Sequence, residues 1–519
     1  MSRTCLRSSI INNKVKYMGS SYLTRGLERR NINITKIKYK KDLHPIIEEE
    51  GVRKNVVDVL VIGGGVMGSA LAYLLSKHTN IKNIALLSEN KDAENNLIYH
   101  LNGTINSGET DSNMDLQDSL RLLKYSNMLR SVVQGLPGGI GKECIAKRTK
   151  ILLGLGEEEN NVIEARFDEF KHFFPKISLI DGKEISKLEP KVAYLDNCLS
   201  KFRKEKMNGI LLKDEYTVAS YGLLSAMFKK LADDISFLKK SKISNYVDLK
   251  IKNIKRISSN GEIYYKVDSG EKSLYSRFLV INDIGNRFEL VRELGYCSDW
   301  IVLNMFGKFQ TTIKEGLKGV VNSMQNLSLP GSTPIYGFPE INSNQAIRFL
   351  ASSYTLPIKW LLKSMNLSDN ISINDASSNN FNLFKSAREK SLRSKVEKLE
   401  IKIPKLVSEQ IIQGSKKIIP SLNLSQIKDK QQNFGISINQ LLDVSGEKNR
   451  VILDRSKIHT DENLILNISH PNSGTTCIKS ATDDMITICN KLGININEIS
   501  LKADIPEYEV HESNFQDEA

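Results

Sequence analysis

Asp58-Val-Leu-Val-Ile-Gly-Gly-Gly-Val-Met-Gly-Ser-Ala-Leu-Ala72 is the stretch that decides the fold of this 519-residue chain. After Asp58 the residues are apolar up to Gly63, as in a parallel strand that is buried on both faces. Three glycines then make a turn, and a helical pattern follows. A second apolar strand, residues 84–87, comes within the roughly 30 residues of a β-α-β unit. The stretch therefore predicts such a unit near the start of the chain.

The spacing Gly63-x-Gly65-x-x-Gly68 gives each glycine a separate task. Gly63 permits the tight turn, Gly65 lets the backbone approach a pyrophosphate, and Gly68 lets helix and strand pack closely. Val66 and Met67 lie at the start of the helix, where unpaired N–H groups face a phosphate. The pattern predicts a dinucleotide-binding site; a purely structural glycine-rich turn is the alternative.

The end of the second strand departs from the usual ribose-binding pattern. A carboxylate commonly ends this strand and binds the ribose hydroxyls. Here Ser88 directly follows Leu87, and Glu89 comes one residue later. A shift of one residue turns a strand side chain to the other face. Three alternatives follow: Glu89 reaches round from the loop, Ser88 binds the ribose, or the affinity is reduced.

The cofactor is predicted to be FAD rather than NAD. The chain is long, no catalytic domain of the NAD-dependent type follows the glycines, and a β-meander returns the chain to the nucleotide domain. Its strands are predicted at 247–254, 262–267 and 277–282, with a Ser-Asn-Gly turn at 259–261. The last strand leads to Gly285, a second glycine that would face the cofactor.

The fold class that follows is α/β, with an α+β substrate domain. It is predicted as a Rossmann-like FAD-binding domain of the glutathione-reductase/D-amino-acid-oxidase type with an interleaved β-sheet substrate domain. The predicted ranges are a leader at 1–50, the FAD-binding domain at 56–125, 205–295 and 430–500, the substrate domain at 126–204 and 296–429, and a tail at 501–519.

The net charge of +13 lies mainly in the first 41 residues. They contain eleven Lys/Arg and one acid, which leaves 62 basic and 59 acidic residues in the rest. That remainder has little surplus for a nucleic-acid-binding face. An acid-poor segment rich in Arg and Ser is typical of a mitochondrial targeting peptide. A basic tail without targeting function is the alternative.

Two further classes of site are disfavoured by the sequence. The six cysteines contain no CxxC pair, so neither a zinc site nor a disulfide framework is expected, and no metal is predicted. Residues 56–76 are nearly long enough to cross a bilayer. Three glycines and the division into strand-like and helix-like halves argue against a membrane span there.

From about residue 57 to residue 492 the chain resembles malate:quinone oxidoreductases. The resemblance lies in Thr104-Ile-Asn-Ser-Gly-Glu-Thr-Asp-Ser-Asn113, in Pro334-Ile-Tyr-Gly-Phe-Pro-Glu340 with 347–349 and 355–357, and in Asn467-Ile-Ser-His-Pro-Asn-Ser-Gly-Thr-Thr-Cys477 with 484–485. It implies that FAD is contacted by Asn106 and Ser107 in the first segment and by Gly474, Thr475 and Thr476 in the last.

The chain departs from the family pattern at several of these positions. Asn106 and Tyr336 each stand where the family has a histidine, and Ser437 stands where it has an arginine. Residues 472–473 replace a proline-glycine pair, whereas Arg348 is kept. The departures leave open two alternatives: an oxidase of another 2-hydroxy acid or an amino acid, and an impaired flavoprotein that acts as a scaffold.

The resemblance implies oxidation of (S)-malate to oxaloacetate, with electrons passed through FAD to ubiquinone at the mitochondrial inner membrane. Arg348 is the predicted carboxylate-binding residue, since a guanidinium holds a carboxylate with two bonds; an inter-strand arginine is the alternative. His470 is preferred to His100 as the base, and Tyr336 as a hydrogen-bond donor. A peripheral membrane anchor is predicted around Trp360, with a core helix as the alternative.

Overall fold

The structure is a computed structural model, and the residues described below are those whose placement it defines. They are residues 46–48, 56–88, 102–112, 114–247, 249–282, 287–296, 300–308, 310–313, 316–324, 335–341, 343–351, 415–422, 427–428, 435–443, 450–452, 457–468 and 474–508.

The strands are β1 (Ile47–Glu48), β2 (Val56–Ile62), β3 (Asn83–Ser88), β4 (Asn102–Thr104), β5 (Ile145–Lys147), β6 (Lys150–Leu155), β7 (Ile177–Asp181), β8 (Met207–Leu212), β9 (Tyr216–Ser220), β10 (Lys242–Val247), β11 (Asn253–Ser259), β12 (Glu262–Asp268), β13 (Ser273–Ile281), β14 (Trp300–Lys308), β15 (Gln310–Ile313), β16 (Val320–Ser323), β17 (Ile335–Glu340), β18 (Ser343–Ala351), β19 (Ile427–Lys428), β20 (Gly435–Asp443), β21 (Arg450–Ile452), β22 (Lys457–His459) and β23 (Leu464–Asn467). The helices are α1 (Val66–His78), α2 (Leu116–Gln134), α3 (Gly141–Cys144), α4 (Gly156–Phe170), α5 (Gly182–Leu188), α6 (Pro190–Ala193), α7 (Tyr221–Leu238), α8 (Phe288–Glu293), α9 (Cys477–Leu492) and α10 (Glu498–Asp504), with a 3-10 turn at Pro137–Gly139.

A nine-stranded sheet forms the dinucleotide-binding part of the molecule. Its order is β1-β11-β12-β13-β2-β3-β10, with β23 beside β13 and β22 beside β23. Val59 and Val61 of β2 pack on one face with α1, α7 and α9. Leu60 and Ile62 pack on the other face with α8 and the meander. Because successive side chains of a strand point to opposite faces, an unbroken apolar strand needs this cover on both sides.

A second, eight-stranded sheet has the order β19-β15-β18-β17-β16-β6-β8-β7. Helix α4 covers it through Ile163 and Phe170, which pack against Leu152 and Ile210 of β6 and β8. Two three-stranded sheets complete the described part of the chain, β4-β9-β5 and β14-β20-β21. The α/β fold predicted from the sequence, with its Rossmann-like domain and separate β-sheet domain, is confirmed.

Helical patterns in the sequence predict helices at roughly 115–134 and 157–171, and both are confirmed as α2 and α4. The strand predicted at 247–254 is wrong: the chain forms β10, parallel to β3, and then β11. The predicted turn at 259–261 explains the difference. Asn260 and Gly261 have φ values of 53° and 77°, and Ser259 pairs with Glu262. A two-residue Asn-Gly turn sets the register of its hairpin, so β11 must run up to Ser259.

The sheets divide the chain differently from the predicted domain ranges. Strand β8 pairs with β6 and β7 in the eight-stranded sheet, although 205–295 was assigned to the FAD-binding domain. Helix α10 extends past residue 501 and buries Leu501, so the predicted tail begins inside an element. Strand β1 lies within the predicted leader and pairs with β11.

The stretch 56–76 is not a membrane span, because it forms β2, the glycine turn and most of α1. Within the described ranges, no helix has both the length and the apolar composition needed to cross a bilayer.

Candidate functional site

The glycine turn is built from close backbone contacts. Gly63 has a φ of 103°, in the left-handed region that favours glycine, and its N–H donates to Leu87 O at 2.8 Å. A Cβ on Gly68 would lie 2.1 Å from the carbonyl oxygen of Gly63. Helix α1 can therefore approach β2 only because residue 68 has no side chain. Both tasks predicted for these glycines match the observed geometry.

Gly65 faces open space among the described residues. A Cβ there would meet none of their atoms within 4 Å. Gly65 is the N-cap of α1, no side chain caps this end, and the first turn has no acidic residue. The first intrahelical bond in the turn is from Ser69 N to Gly65 O, so the N–H groups of Val66, Met67 and Gly68 precede it. An uncapped helix start beside an open cradle fits the pyrophosphate of a dinucleotide.

Helix α7 supports the turn through hydrogen bonds of Ser225. Ser225 donates a hydrogen bond to the carbonyl oxygen of Gly64 at 3.0 Å, and Ser69 donates to Ser225 at 3.1 Å. The Ser225 contact joins positions more than 150 residues apart, which no local sequence pattern indicates.

A series of buried polar side chains also supports the turn. The Asn467 amide donates to Asn282 Oδ1 at 2.9 Å and to Asp484 Oδ2 at 2.7 Å, and Asp484 Oδ1 lies 2.7 Å from Lys457 Nζ. The Asn282 backbone N–H bonds to Ile62 O at 2.9 Å, directly before the turn. These hydrogen bonds therefore couple α9 and β23 to the glycine turn, and no local sequence pattern indicates them.

The ribose partner is not settled by these contacts. Ser88 ends β3, is half-buried, and pairs through its backbone with Val247 of β10. Glu89 and Gly285 lie outside the described residues. Their roles stay predictions, as does that of Ser88.

Residues 104–112, here called the cofactor loop, are buried along most of their length. The Asn106 amide oxygen accepts from Lys150 Nζ at 2.9 Å, and its backbone N–H donates to Thr475 Oγ1 at 3.2 Å. Ser107 Oγ accepts from Arg130 Nη2 at 2.8 Å. Both side chains thus have protein partners, and their predicted contact with FAD stays a prediction.

Arg166 of α4 fixes the following part of the loop. Its guanidinium donates to the carbonyl oxygens of Gly108 at 2.8 Å, Glu109 at 3.0 Å and Met114 at 2.8 Å. Burial lowers the pKa of Arg166 to about 10, which still leaves it charged at neutral pH. Sequence patterns gave no sign of this contact, because Arg166 lies in a helix that is rich in charge.

Two side chains of the eight-stranded sheet also donate hydrogen bonds to the cofactor loop. Asn322 of β16 donates to the carbonyl oxygen of Thr110 at 2.9 Å, and Tyr336 of β17 donates to Asp111 Oδ2 at 2.8 Å. The Tyr336 hydroxyl therefore positions the loop. Its predicted role as a donor to substrate stays a prediction.

The cofactor loop also contains a buried ionisable cluster. Lys150 is only 1% exposed, and this burial lowers its pKa. The negative charges of Glu109 and Asp111 act in the opposite direction and raise the pKa of Lys150. Both carboxylate oxygens of Glu109 are buried and have no hydrogen-bond donor among the described residues, although the charges of Lys150, Arg130 and Arg166 lie near. A buried carboxylate without a hydrogen-bond donor is costly, which marks this loop as a site where stability was not the only requirement.

The last predicted cofactor segment opens a helix, as expected. Helix α9 begins at Cys477 with Thr476 as its N-cap. Thr475 Oγ1 lies 3.3 Å from the hydroxyl of Tyr221, and a Cβ on Gly474 would lie 2.6 Å from the Tyr221 ring. Glycine at 474 is thus required by the neighbouring tyrosine, while cofactor contact by 474–476 stays a prediction.

For five further residues discussed from the sequence, the structure describes no side chain. The Arg348 backbone pairs with Phe338 and Thr311 in β18, and the Ser437 backbone pairs with Phe306 in β20. His470, His100 and Trp360 lie outside the described residues. In the described part of the chain, no group of three His, Cys, Asp or Glu could hold a metal ion.

Glu189 binds the backbone of the segment that leads into β16 of the eight-stranded sheet. Its carboxylate accepts the backbone N–H groups of Lys318 at 3.0 Å and Gly319 at 2.6 Å, directly before β16. Burial raises its pKa from 4.5 to about 7, although the two N–H groups oppose the shift. The folded chain therefore holds this proton more tightly than the unfolded chain does.

We expect a Glu189→Gln variant to lose a pH dependence of stability. With the folded pKa raised, the contribution is fully present below about pH 4.5 and is lost as pH rises through about 7. The loss is on the order of 3 kcal/mol. Urea midpoints at about pH 5 and about pH 8 should differ less in the variant than in wild type. Glu184→Gln, an exposed control, should behave as wild type; equal pH dependence in both variants contradicts the assignment.

Comparison with known proteins agrees with this geometry. Residues 58–268 match the sequence model of the FAD dependent oxidoreductase family. A probable malate:quinone oxidoreductase of Campylobacter jejuni is 25% identical over 463 residues, which are 86% of this chain and 98% of that protein. A malate:quinone oxidoreductase of Helicobacter pylori is 26% identical over 446 residues, 84% of this chain and 95% of that protein.

Solved structures share the fold at low identity. Glycine oxidase from Geobacillus kaustophilus superposes with a TM-score of 0.52 at 13% identity, covering 84% of this chain and 95% of its own. FAD-bound L-α-glycerophosphate oxidase from Mycoplasma pneumoniae gives 0.50 at 14% identity, covering 83% and 94%. Similarity at this level concerns the fold alone. With the open cradle at Gly65 and the matching domain, the conclusion is that this chain carries the FAD-dependent oxidoreductase domain and that FAD is its cofactor.

Proposed function

We propose that the chain oxidises (S)-malate to oxaloacetate and passes the electrons to a quinone. The observation that carries the proposal is the extent of the similarity to the two malate:quinone oxidoreductases, which spans 98% and 95% of their lengths. The geometry supports it as well, since the segment most particular to that family is the cofactor loop. Three side chains of the eight-stranded sheet hold this loop in place.

The chemistry asks for three things. When bound, FAD supplies the acceptor for a hydride from C2 of malate and the store of two electrons for the quinone. The chain must supply a base for the hydroxyl proton and cations for two carboxylates. We assign the first task to His470 and the second to Arg348, with Tyr336 as a donor. The N-terminus of α9, beside Thr475, would stabilise negative charge next to the cofactor.

The experiment is quinone reduction by the purified protein with a panel of substrates: (S)-malate, (R)-malate, (S)-lactate, glycine and glycerol 3-phosphate. We expect turnover with (S)-malate and a marked preference over the (R) enantiomer. In the same assay, Arg348→Lys should mainly raise KM for malate, because lysine cannot form a two-bonded pair with a carboxylate. Turnover with glycine or lactate but not malate would overturn the proposed substrate.

A second candidate function is a scaffold without turnover. One observation favours it: Asn106 and Tyr336, which replace histidines of the family pattern, both have structural hydrogen bonds within the fold. Purified protein that binds FAD and has no activity with any substrate of the panel would support the scaffold.

We also propose a mitochondrial location with peripheral contact to the inner membrane. The net charge of +10 in the first 41 residues supports a targeting leader. Import of the full chain into isolated mitochondria, with shortening of the chain, is the expected result. Exclusion from mitochondria would contradict the location.

A further inference from the structure

A short loop between α6 and β8 presents two large apolar side chains to solvent. In this tip loop, residues 194–202, Leu199 is 39% exposed and Phe202 is 41% exposed. Leu199 also has a φ of 54°, in the left-handed region that a branched side chain rarely adopts. Asparagine or glycine would occupy this position with less strain. The loop thus combines backbone strain with exposed apolar surface.

The exposure is a fixed feature of the loop. Leu195 N donates to Lys201 O at 2.8 Å, and Ser200 N donates to Asp196 Oδ1 at 2.8 Å. The rings of Tyr194 and Phe202 meet edge to face at 5.4 Å. Backbone bonds, a side-chain cap and a ring contact therefore hold the tip in one shape, with Leu199 at its end.

A cleft of about 510 Å³ lies beside the tip loop and carries positive charge. The cleft is lined by three cationic side chains, Arg148, Lys191 and Lys318. None of them forms a salt bridge with a carboxylate of the described residues. Its apolar lining comes from Pro190, Leu199, Leu317 and Pro339. The cleft opens where β6 and β16 begin, and Arg148 is two residues before Lys150, which contacts the cofactor loop.

We propose that the tip loop and this basic cleft form the surface by which the chain docks on an anionic phospholipid bilayer. Apolar side chains beside lysine and arginine suit the interface, where the rings and alkyl groups enter the acyl boundary and the cations meet phosphates. Residues 42–519 have a net charge of only +3, so the attraction comes from this local patch. The docking is inferred from the exposed apolar side chains and the basic cleft alone. Its purpose, access for a lipophilic quinone, rests on the proposed function.

The end of α7 offers a matched control surface. Phe237 is 84% exposed and Leu238 is 79% exposed, more than either residue of the tip loop. However, the ammonium group of the neighbouring Lys239 donates hydrogen bonds to carbonyl oxygens at the end of α1. Asp233 and Asp234 are exposed nearby. Apolar exposure is thus greater there, but the surrounding charge is mixed.

The test is flotation of the full chain with vesicles of phosphatidylglycerol and phosphatidylcholine, compared with phosphatidylcholine alone. Leu199→Asn with Phe202→Ser should weaken partitioning into the anionic vesicles by about tenfold or more. Asparagine tolerates the left-handed conformation at 199, and far-UV circular dichroism checks that loss of the Tyr194–Phe202 ring contact leaves the chain folded. Phe237→Ser with Leu238→Ser should bind as wild type. Loss of binding in the α7 variant with retention in the tip-loop variant would overturn the proposal.

Charge reversal gives an independent readout. Lys191→Glu and Lys318→Glu should each weaken partitioning by about fivefold or more and reduce its salt dependence, whereas Lys82→Glu should not. Binding that depends on the leader lysines alone would also overturn the proposal.

Turnover with a water-soluble quinone should survive in the tip-loop variant while turnover with a long-chain quinone in vesicles falls. Flotation measures vesicle binding without turnover. The docking proposal can therefore be tested even if the chain does not oxidise malate.

Discussion

Alanine at Gly65 is expected to leave the chain folded and to abolish FAD binding at ordinary cofactor concentrations. Gly65 has a φ of −67°, which any residue adopts, and its Cβ would meet no atom of the described residues. The added methyl group would instead occupy the space in front of the uncapped start of α1. We expect the Kd for FAD to rise by about a hundredfold or more, the equivalent of about 2.8 kcal/mol. Flavin fluorescence titration of the cofactor-stripped protein measures it.

Gly68→Ala is the matched variant, and its effect should be on folding. A Cβ at 2.1 Å from the Gly63 carbonyl oxygen cannot be accommodated without separating α1 from β2. We expect a loss of about 3 kcal/mol or more in the free energy of unfolding. A Gly65→Ala protein that is equally destabilised and retains FAD would contradict the separate roles given to the two glycines.

Arg166→Ala is expected to have the second large effect, through the cofactor loop. The variant leaves three carbonyl oxygens without their charged donor, and each such bond is worth about 1.5–3 kcal/mol. A net loss of about 4 kcal/mol or more is therefore expected, together with weaker FAD retention. Urea unfolding and the ratio of flavin to protein absorbance after gel filtration measure the two effects.

Two comparisons make the Arg166 result specific. Arg166→Lys should recover only a minor part of the stability, because one ammonium cannot reach three carbonyls in a fixed fork geometry. Arg121→Ala removes an exposed guanidinium paired with Asp118 and should change stability by well under about 1 kcal/mol. Equal stability of the Arg166 and Arg121 variants would show that the clamp does not hold the loop.

The local elements near the glycine turn were predictable because their signals are local. An apolar strand, a glycine turn and a helix follow one another within residues 56–78, and the predicted second strand agrees with β3. The Asn260-Gly261 turn was visible for the same reason. The strand before it was misplaced, since strand limits depend on pairing partners that are distant in sequence.

The contacts that hold the site together were not predictable in this way. Asn282, Asn467 and Asp484 come from separate segments, and nothing in their neighbours indicates a shared hydrogen-bond chain. Arg166 lies in a helix rich in charge, and nothing in its local sequence indicates that its guanidinium donates to the carbonyl oxygens of Gly108, Glu109 and Met114. Polar residues of this kind acquire their partners only when the two sheets are assembled.

The family resemblance located the right segments and gave less information about individual side chains. It pointed to Asn106, Ser107 and Tyr336, and all three lie at the cofactor loop. Their side chains bond to Lys150, Arg130 and Asp111, which the resemblance did not name. The loop's own architecture therefore determines which atoms remain available to cofactor and substrate.

The most direct test of the proposed function is a single-turnover experiment without oxygen, in which the protein with bound FAD is mixed with (S)-malate and the flavin absorbance is followed. We expect loss of the oxidised flavin bands, one oxaloacetate formed per flavin, a slower reaction with malate deuterated at C2, and recovery of the bands when quinone is added. Flavin that stays oxidised in saturating (S)-malate, but is reduced by dithionite, would contradict malate oxidation by this chain.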